Sequence, residues 1–329
     1  MKAAAVEEAA TVEASPEIIP VRLRVPPECD RWRLDHFLKS RIRRLSRTKI
    51  QEIIERQVRL SDGRQPRPSL AVRRGEVVLI ERPAPVEPPV PRRFEVLAED
   101  PTFIAIDKPA GLPIHTTAKY FKNTLTAVLR ERYPDQKVQV CHRLDRETSG
   151  VLLVARGPGP SSFLKQAFAK RQVSKSYLAI CHGIPSPATG LIDRPLKLLN
   201  TRSKLLMGVA APDDPDGLPS RTRYSVLQTF PDHALVAAHP ETGRQHQIRV
   251  HLASAGHPIV GDKLYRASEE QFIAFCDGGM TPELLEAFDG LPRQALHAHR
   301  LTFPHPTTRE PVTIEAPLPA DLRDYLARL

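Results

Sequence analysis

A two-domain α+β protein is what this sequence predicts: a small α+β module followed by a larger domain on a mixed sheet. Its 329 residues exceed what a single core usually serves and suit two. The stretch Pro83-Ala84-Pro85-Val86-Glu87-Pro88-Pro89-Val90-Pro91 puts five prolines in nine residues, the composition of a semi-extended linker and a natural boundary. Beyond it, strand-like and helical runs follow one another without the regular alternation of a doubly wound sheet. The expected division is a disordered tail at 1–20, a compact module at 21–83, the proline-rich linker at 84–93 and the larger domain at 94–329.

In the module, Leu34, Phe37, Leu38 and Ile42 recur at helical spacing. A second helix is expected from 47 to 55, burying Ile50, Ile53 and Ile54, with Ser46 as its N-cap. Val58-Arg59-Leu60 reads as a short strand, Asp62-Gly63 as a turn and Val77-Val78-Leu79-Ile80 as a closing strand. In the larger domain strands are expected at 103–106, 150–155, 177–182, 223–230 and 234–238, and helices at 124–133, 161–170, 245–255 and 320–329. No internal repeat is visible.

A hydrophobic content of 41% is enough for a real core and excludes wholesale disorder. The net charge of +10 points to an anionic partner, nucleic acid first among them. The excess is concentrated: residues 21–83 hold 17 Lys/Arg against 8 Asp/Glu. No apolar run approaches the roughly 20 residues of a membrane span. Residues 1–20 are rich in Ala and Glu and unlike a signal peptide, so no membrane partner is expected. Cys29, Cys141, Cys181 and Cys276 are scattered without a Cys-x-x-Cys pair, as reduced thiols would be, which makes the cytoplasm the expected compartment. Walker, Gly-x-Gly-x-x-Gly, Gly-x-Ser-x-Gly and His-Glu-x-x-His motifs are missing, leaving nucleotide- or metal-driven chemistry without a visible site. His246 and His251 stand at His-x4-His spacing but lack a nearby glutamate pair, so no metal and no cofactor are expected.

The chemistry is concentrated in Cys141-His142-Arg143-Leu144-Asp145-Arg146-Glu147-Thr148-Ser149-Gly150, which runs into the apolar Val151-Leu152-Leu153-Val154-Ala155. A polar loop bounded by a buried strand is where a rigid scaffold presents reactive groups. Flanking arginines favour the ionised form of Asp145, and a partly desolvated carboxylate is a usable nucleophile. Taken alone, Arg-x-Asp-Arg is more often a surface salt-bridge loop. The whole segment to Arg156, however, resembles the signature of the RluA-type pseudouridine synthases. That resemblance implies that Asp145 is the catalytic aspartate, and that Arg143 fills the space left when a uridine is flipped from its stack.

Further segments match in the same order. Lys108-Pro109-Ala110-Gly111-Leu112-Pro113 resembles the family's Lys-Pro-x-Gly turn, and His115 just after it reads as a polar wall residue. Val173-Ser174-Lys175-Ser176-Tyr177-Leu178-Ala179 resembles the segment whose tyrosine stacks on the target uracil and takes its C5 proton, a role that falls on Tyr177. Thr242-Gly243-Arg244-Gln245-His246-Gln247-Ile248-Arg249-Val250-His251-Leu252 resembles the Gln-Ile-Arg motif. The resemblance implies that Arg249 pairs with Asp145 and that Ile248 sits against the base. Thr242 is placed to cap the helix that follows. Leu144, Thr148 and Arg244, from the same motifs, complete the expected substrate contacts. Pro258-Ile259-Val260-Gly261-Asp262 with Leu264-Tyr265, and the segment 296–306 containing His297 and His299, match regions read as architectural. Residues 266–293 between them read as a variable insertion. The implied fold is a mixed, largely antiparallel sheet with a central cleft.

The module resembles the S4 RNA-binding domain through Arg33-Leu34-Asp35, Phe37-Leu38, Ser46-Arg47, Val58 and Arg74-Gly75-Glu76-Val77, with Gln57 and Glu76 departing from the usual glycine and aspartate. Arg33, Arg41, Arg43, Arg44, Arg47, Lys49, Arg73 and Arg74 are its expected phosphate contacts. The expected partner is structured RNA, large-subunit ribosomal RNA first and transfer RNA second, bound by a monomer. Two other readings stay open: a catalytically silent RNA-binding or ribosome-assembly protein on the same fold, and a glycosidase. The second needs a paired acid, for which Glu147 is the only nearby candidate.

Overall fold

The computed structural model describes residues 18–42, 45–83, 87–117, 119–201 and 205–329, which fall into two units divided between Val86 and Glu87. The first unit contains β1 (Ile18–Arg24), α1 (Leu34–Arg41), α2 (Arg47–Gln57), β2 (Val58–Leu60) and β3 (Val77–Pro83). Leu34, Phe37 and Leu38 from α1 meet Ile50 and Ile54 from α2 over Val58 and Val78 of the sheet, all fully buried. The Ser46 side chain accepts the Lys49 N–H, capping α2 as expected. Ile53 is only partly buried, because the core-facing stripe of α2 is carried by its neighbours at Ile50 and Ile54.

The sheet is three-stranded, β1-β3-β2, rather than a two-strand hairpin. Ile18, Ile19 and Pro20, which composition places in the tail, pair with Pro83, Arg82 and Glu81. Pro20 breaks the alternating pattern that announces a strand, and an edge strand tolerates it where a central one does not. The remainder of the expected tail, 1–17, lies outside the described residues.

The second unit begins with β4 (Glu95–Glu99), β5 (Phe103–Lys108), α3 (Leu125–Arg132), β6 (Val138–Val140), β7 (Ser149–Arg156) and α4 (Pro158–Ala169). It continues through β8 (Ser174–His182), β9 (Thr189–Asp193), β10 (Leu196–Leu198), β11 (Met207–Val209), β12 (Arg221–Thr229), β13 (His233–Pro240) and α5 (Gln247–Ser254). It ends with α6 (Glu269–Gly278), α7 (Pro282–Ala287), β14 (Leu296–Pro304), β15 (Pro311–Glu315) and α8 (Ala320–Leu326). The segment read as an insertion therefore carries two short helices. α4 starts three residues earlier than expected, with Pro158 in its first turn, where a missing N–H costs nothing.

The main sheet runs β4-β5-β7-β14-β8-β13-β12-β9, with β15 added to β14 and β6 to β7. Its pairings are antiparallel except β14 with β7, which is parallel and only two residues deep, His297 opposite Ser149 and Ala298 opposite Gly150. The two arms of the sheet thus join at one short contact and part on either side of it. Gly150 makes the contact possible. Its φ is +111°, and a Cβ there would lie 2.2 Å from the Ala298 carbonyl oxygen.

β7 is apolar on both faces because both are covered. Val151, Leu153 and Ala155 pack with Leu164 and Ala167 of α4, while Leu152 and Val154 pack with Leu125, Val128 and Leu129 of α3. On the other arm, Ile248 and Leu252 of α5 and Leu322 and Tyr325 of α8 pack on Ala179, Ile180 and Ala238.

Candidate active site

The loop entering β7 is held from below before its side chains do anything. Leu144 is buried against Ile104, Ile106 and Leu152, and the Thr148 N–H donates to the Asp145 carbonyl. The Arg146 carbonyl accepts from the Gly111 N–H at 2.8 Å and from Lys108 Nζ at 3.1 Å. Lys108 is fully buried, its other donors going to the Pro109 and Leu112 carbonyls; burial pushes its pKa down to about 7. The Lys-Pro-Ala-Gly turn is therefore the clamp of the Asp145 loop. Arg146 turns away to the Tyr120 hydroxyl and Glu147.

Arg249 reaches Asp145 from α5, with Nη1 donating to Oδ2 at 2.9 Å. Its remaining donors fork onto Asp262, Nε at 2.6 Å and Nη2 at 2.8 Å, and the Tyr265 ring lies 5.0 Å beneath the guanidinium. Asp262 is itself fixed by the Leu264 and Tyr265 N–H groups, at 2.9 and 3.1 Å. The bidentate pair leaves Arg249 one orientation. Burial alone would raise the Asp145 pKa, but the Arg249 charge and hydrogen bond hold it below the usual carboxylate range. The carboxylate is thus ionised at neutral pH, with about a fifth of its side chain exposed.

Beside it, Tyr177 stands in β8, partly buried; burial and then the charge of Asp145 raise its pKa, so the phenol keeps its proton. Gln294 donates to the Thr148 hydroxyl at 2.7 Å and also supports Asp145. Lys175 donates to the Thr242 carbonyl at 2.8 Å, with a pKa lowered to about 8 by burial and by Arg171.

Asp145, Tyr177, Arg249, Arg143, Ile248, Leu144, Thr148 and Arg244 all line one cleft of about 580 Å³, where the two arms of the sheet part. Arg143 is exposed at its mouth. Thr242 does not cap α5. The helix begins five residues later, at Gln247, and the Thr242 hydroxyl donates to the Gln247 amide oxygen instead. His115 is exposed and is not part of the cleft wall.

The segment read as architectural supplies Asp262 and Tyr265 to the site, and His246, which has no evident role in the sequence once a metal is set aside, lies 3.8 Å from Asp145. The sequence signal for Asp262 is a Gly-Asp turn after an apolar pair, which is as common at plain turns. His297 is fully buried, hydrogen-bonded to Ser149 and to the Ala316 carbonyl, and serves the sheet junction.

In the first unit Arg33 and Arg47 both reach the buried Asp35, at 2.9 and 3.4 Å, and Lys49 pairs with Glu52, yet all three remain more than half exposed. Arg41 lies over the Phe37 ring, and Arg73 and Arg74 are exposed. Arg43 and Arg44 lie outside the described residues.

An ionised aspartate, held by a doubly anchored arginine beside a protonated tyrosine in a basic cleft, is an arrangement suited to carboxylate chemistry on an anionic substrate. Comparison with known proteins narrows this. Residues 102–254 match the RNA pseudouridylate synthase family. An uncharacterized RNA pseudouridine synthase of Chloroflexus aurantiacus is 37% identical, over 93% of this chain and 92% of its own. Ribosomal large subunit pseudouridine synthase D of Xanthomonas campestris pv. campestris is 35% identical, over 93% and 91%. The structure resembles human RNA pseudouridylate synthase domain containing 4, with a TM-score of 0.56 and 28% identity, covering 71% of this chain and 92% of that one. The chain belongs to the RluA-type RNA pseudouridine synthases and is an isomerase that acts on RNA.

Proposed function

We propose that this enzyme converts uridines of large-subunit ribosomal RNA to pseudouridine, as a cytoplasmic monomer without a cofactor, using Asp145 as the group that acts at C1′. One observation carries the chemical reading: Asp145 is the carboxylate in the cleft that Arg249, itself anchored by Asp262, holds ionised and aimed. The reaction exchanges an N-glycosidic for a C-glycosidic bond within one nucleotide, so atoms balance without a co-substrate.

The steps follow from the residues present. A uridine leaves its stack to reach the cleft, because its reacting atoms are inaccessible within it. Arg143, exposed at the mouth, takes up the vacated space. Ile248 and the Tyr177 ring offer apolar and flat surfaces for the base. Asp145 assists departure of uracil from C1′, by direct attack or through a glycal. The base turns, C5 bonds to C1′, and the Tyr177 hydroxyl relays the C5 proton, releasing its own proton as it accepts, while N1, freed from C1′, ends protonated. Lys175, Arg171 and Arg244 along the cleft supply positive charge for neighbouring phosphates.

The first unit, read as an S4-like domain, adds affinity through Arg33, Arg41, Arg47, Lys49, Arg73 and Arg74. The names of the ribosomal large subunit synthases among the relatives support ribosomal RNA as the target. Carbodiimide mapping of pseudouridine in total RNA, with and without the gene, tests this. The expected result is loss of defined stops in large-subunit ribosomal RNA. Loss confined to transfer RNA would overturn the target while leaving the chemistry.

A further inference from the structure

We propose that His246 is a positioning residue for Asp145, set by Tyr265 in the tautomer that carries its proton on Nε2 and turns that N–H toward the carboxylate. The proposal rests on Asp145 acting in the reaction. It stands on two observations, the hydrogen bonds of the imidazole and the backbone that aims it.

His246 Nδ1 lies 2.8 Å from the Tyr265 hydroxyl, and the same hydroxyl oxygen lies 3.1 Å from the Met207 backbone nitrogen. A backbone N–H can only donate, so the phenol oxygen accepts from Met207. The phenol has one proton, and among the described residues the acceptor beside it is His246 Nδ1. Nδ1 is then the acceptor nitrogen and Nε2 bears the hydrogen. Nε2 faces Asp145 Oδ2 at 3.8 Å, and Arg249 Nη1 already donates to that same oxygen at 2.9 Å. Arg249 thus donates to Oδ2, and the His246 Nε2–H stands next to the same oxygen, 3.8 Å away and longer than a closed hydrogen bond.

The backbone independently marks the residue. His246 has φ +55° and ψ +16°, left-handed for a residue with a Cβ, at the N-terminal junction of α5, where its side chain makes no capping bond. Such conformations persist where the surroundings impose them, and they gather at functional sites. Here the unusual turn directs the imidazole into the cleft, with only about a tenth of the side chain exposed.

The groups facing the ring are Arg143 and Asp145 from the loop before β7, Arg249 from α5, and Asp262 and Tyr265 from the loop after it. Burial and then the Arg249 charge keep the imidazole neutral, with a pKa lowered to about 4. A neutral donor is what the site needs: it orients the carboxylate without adding a second full positive charge that would quench its reactivity.

The test is single-turnover isomerisation of an RNA substrate, with affinity measured in parallel, for His246→Ala, His246→Gln, Tyr265→Phe and Asp145→Asn. His246→Ala is expected to lower the rate by about 100-fold, as misplacement of a reacting group does, with RNA affinity within about twofold. His246→Gln, which retains a donor, should recover about tenfold of that loss. Tyr265→Phe should slow the wild type and have little further effect on His246→Ala, and the ring ¹⁵N shifts of His246 should lose their single-tautomer pattern. A wild-type rate in His246→Ala, or no recovery with Gln, overturns the positioning role. Activity in Asp145→Asn instead overturns the reading on which it rests.

Discussion

Three enclosed histidines give the molecule a pH dependence that can be worked out residue by residue. His142 stacks on Phe168 and accepts the Leu153 N–H, His246 accepts from Tyr265, and His297 lies between Ser149 and Ala316. Burial is the leading cause of depression in each, to about 3, about 4 and about 4. An unfolded histidine takes its proton near pH 6.5. A folded group with a depressed pKa refuses that proton, so the unfolded chain binds more of them and stability falls as pH falls. The contribution is fully present above about pH 6.5 and lost progressively down to the folded values. These rings should therefore make the melting temperature decline from about pH 6.5 towards 4, below the separate slope that the depressed Lys108 and Lys175 impose above pH 7. A melting temperature unchanged down to pH 5 would contradict the enclosure of these rings. The same part of the molecule marks the limit of what the sequence alone reveals. Asp145, Tyr177 and Arg249 stand in long motifs and can be named directly. Asp262, Tyr265 and His246 cannot, because their importance lies in which partner each touches, and partners 13 to 104 residues apart in the chain leave no local pattern.

At the scale of elements, a strand covered on both sides announces itself most directly. β7 is a run of apolar residues because α3 and α4 flank it, and β5 and β8 follow similar logic. β9, β10 and β11 span only three to five residues, too few for a periodic pattern to announce them. β14 reads as motif rather than strand, since its histidines mask the pattern. That strand joins the two arms, and Gly150 is the residue on which the junction depends. Gly150→Ala places a methyl against the Ala298 carbonyl and forces a positive φ on a residue with a Cβ. The cost should be about 3 kcal/mol or more, lowering the melting temperature by roughly 6–12 °C for a domain of this size. A shift within about 2 °C, the effect of less than 1 kcal/mol, would mean that the close parallel pairing is not needed.

For the whole molecule, the charge distribution is legible in the sequence, but the partners of those charges are not. Asp35 is buried and draws in Arg33 and Arg47, so part of the basic face of the first unit is already used internally. Among the described residues, no helix is long and apolar enough to cross a membrane. If the first unit grips RNA through phosphates, the combined variant Arg41→Gln, Arg47→Gln, Lys49→Gln should bind RNA more weakly. The slope of log affinity against log salt should flatten by about 0.7 to 0.9 for each phosphate interaction removed. An unchanged slope would remove this face from the RNA footprint. The central claim is that the cleft isomerises uridine through Asp145. It is tested most directly by tritium release from RNA labelled at uridine C5, comparing the wild type with Asp145→Asn. Release by the wild type, with none by a variant that still binds RNA within a few-fold, is the predicted result. Equal release by both would contradict the claim.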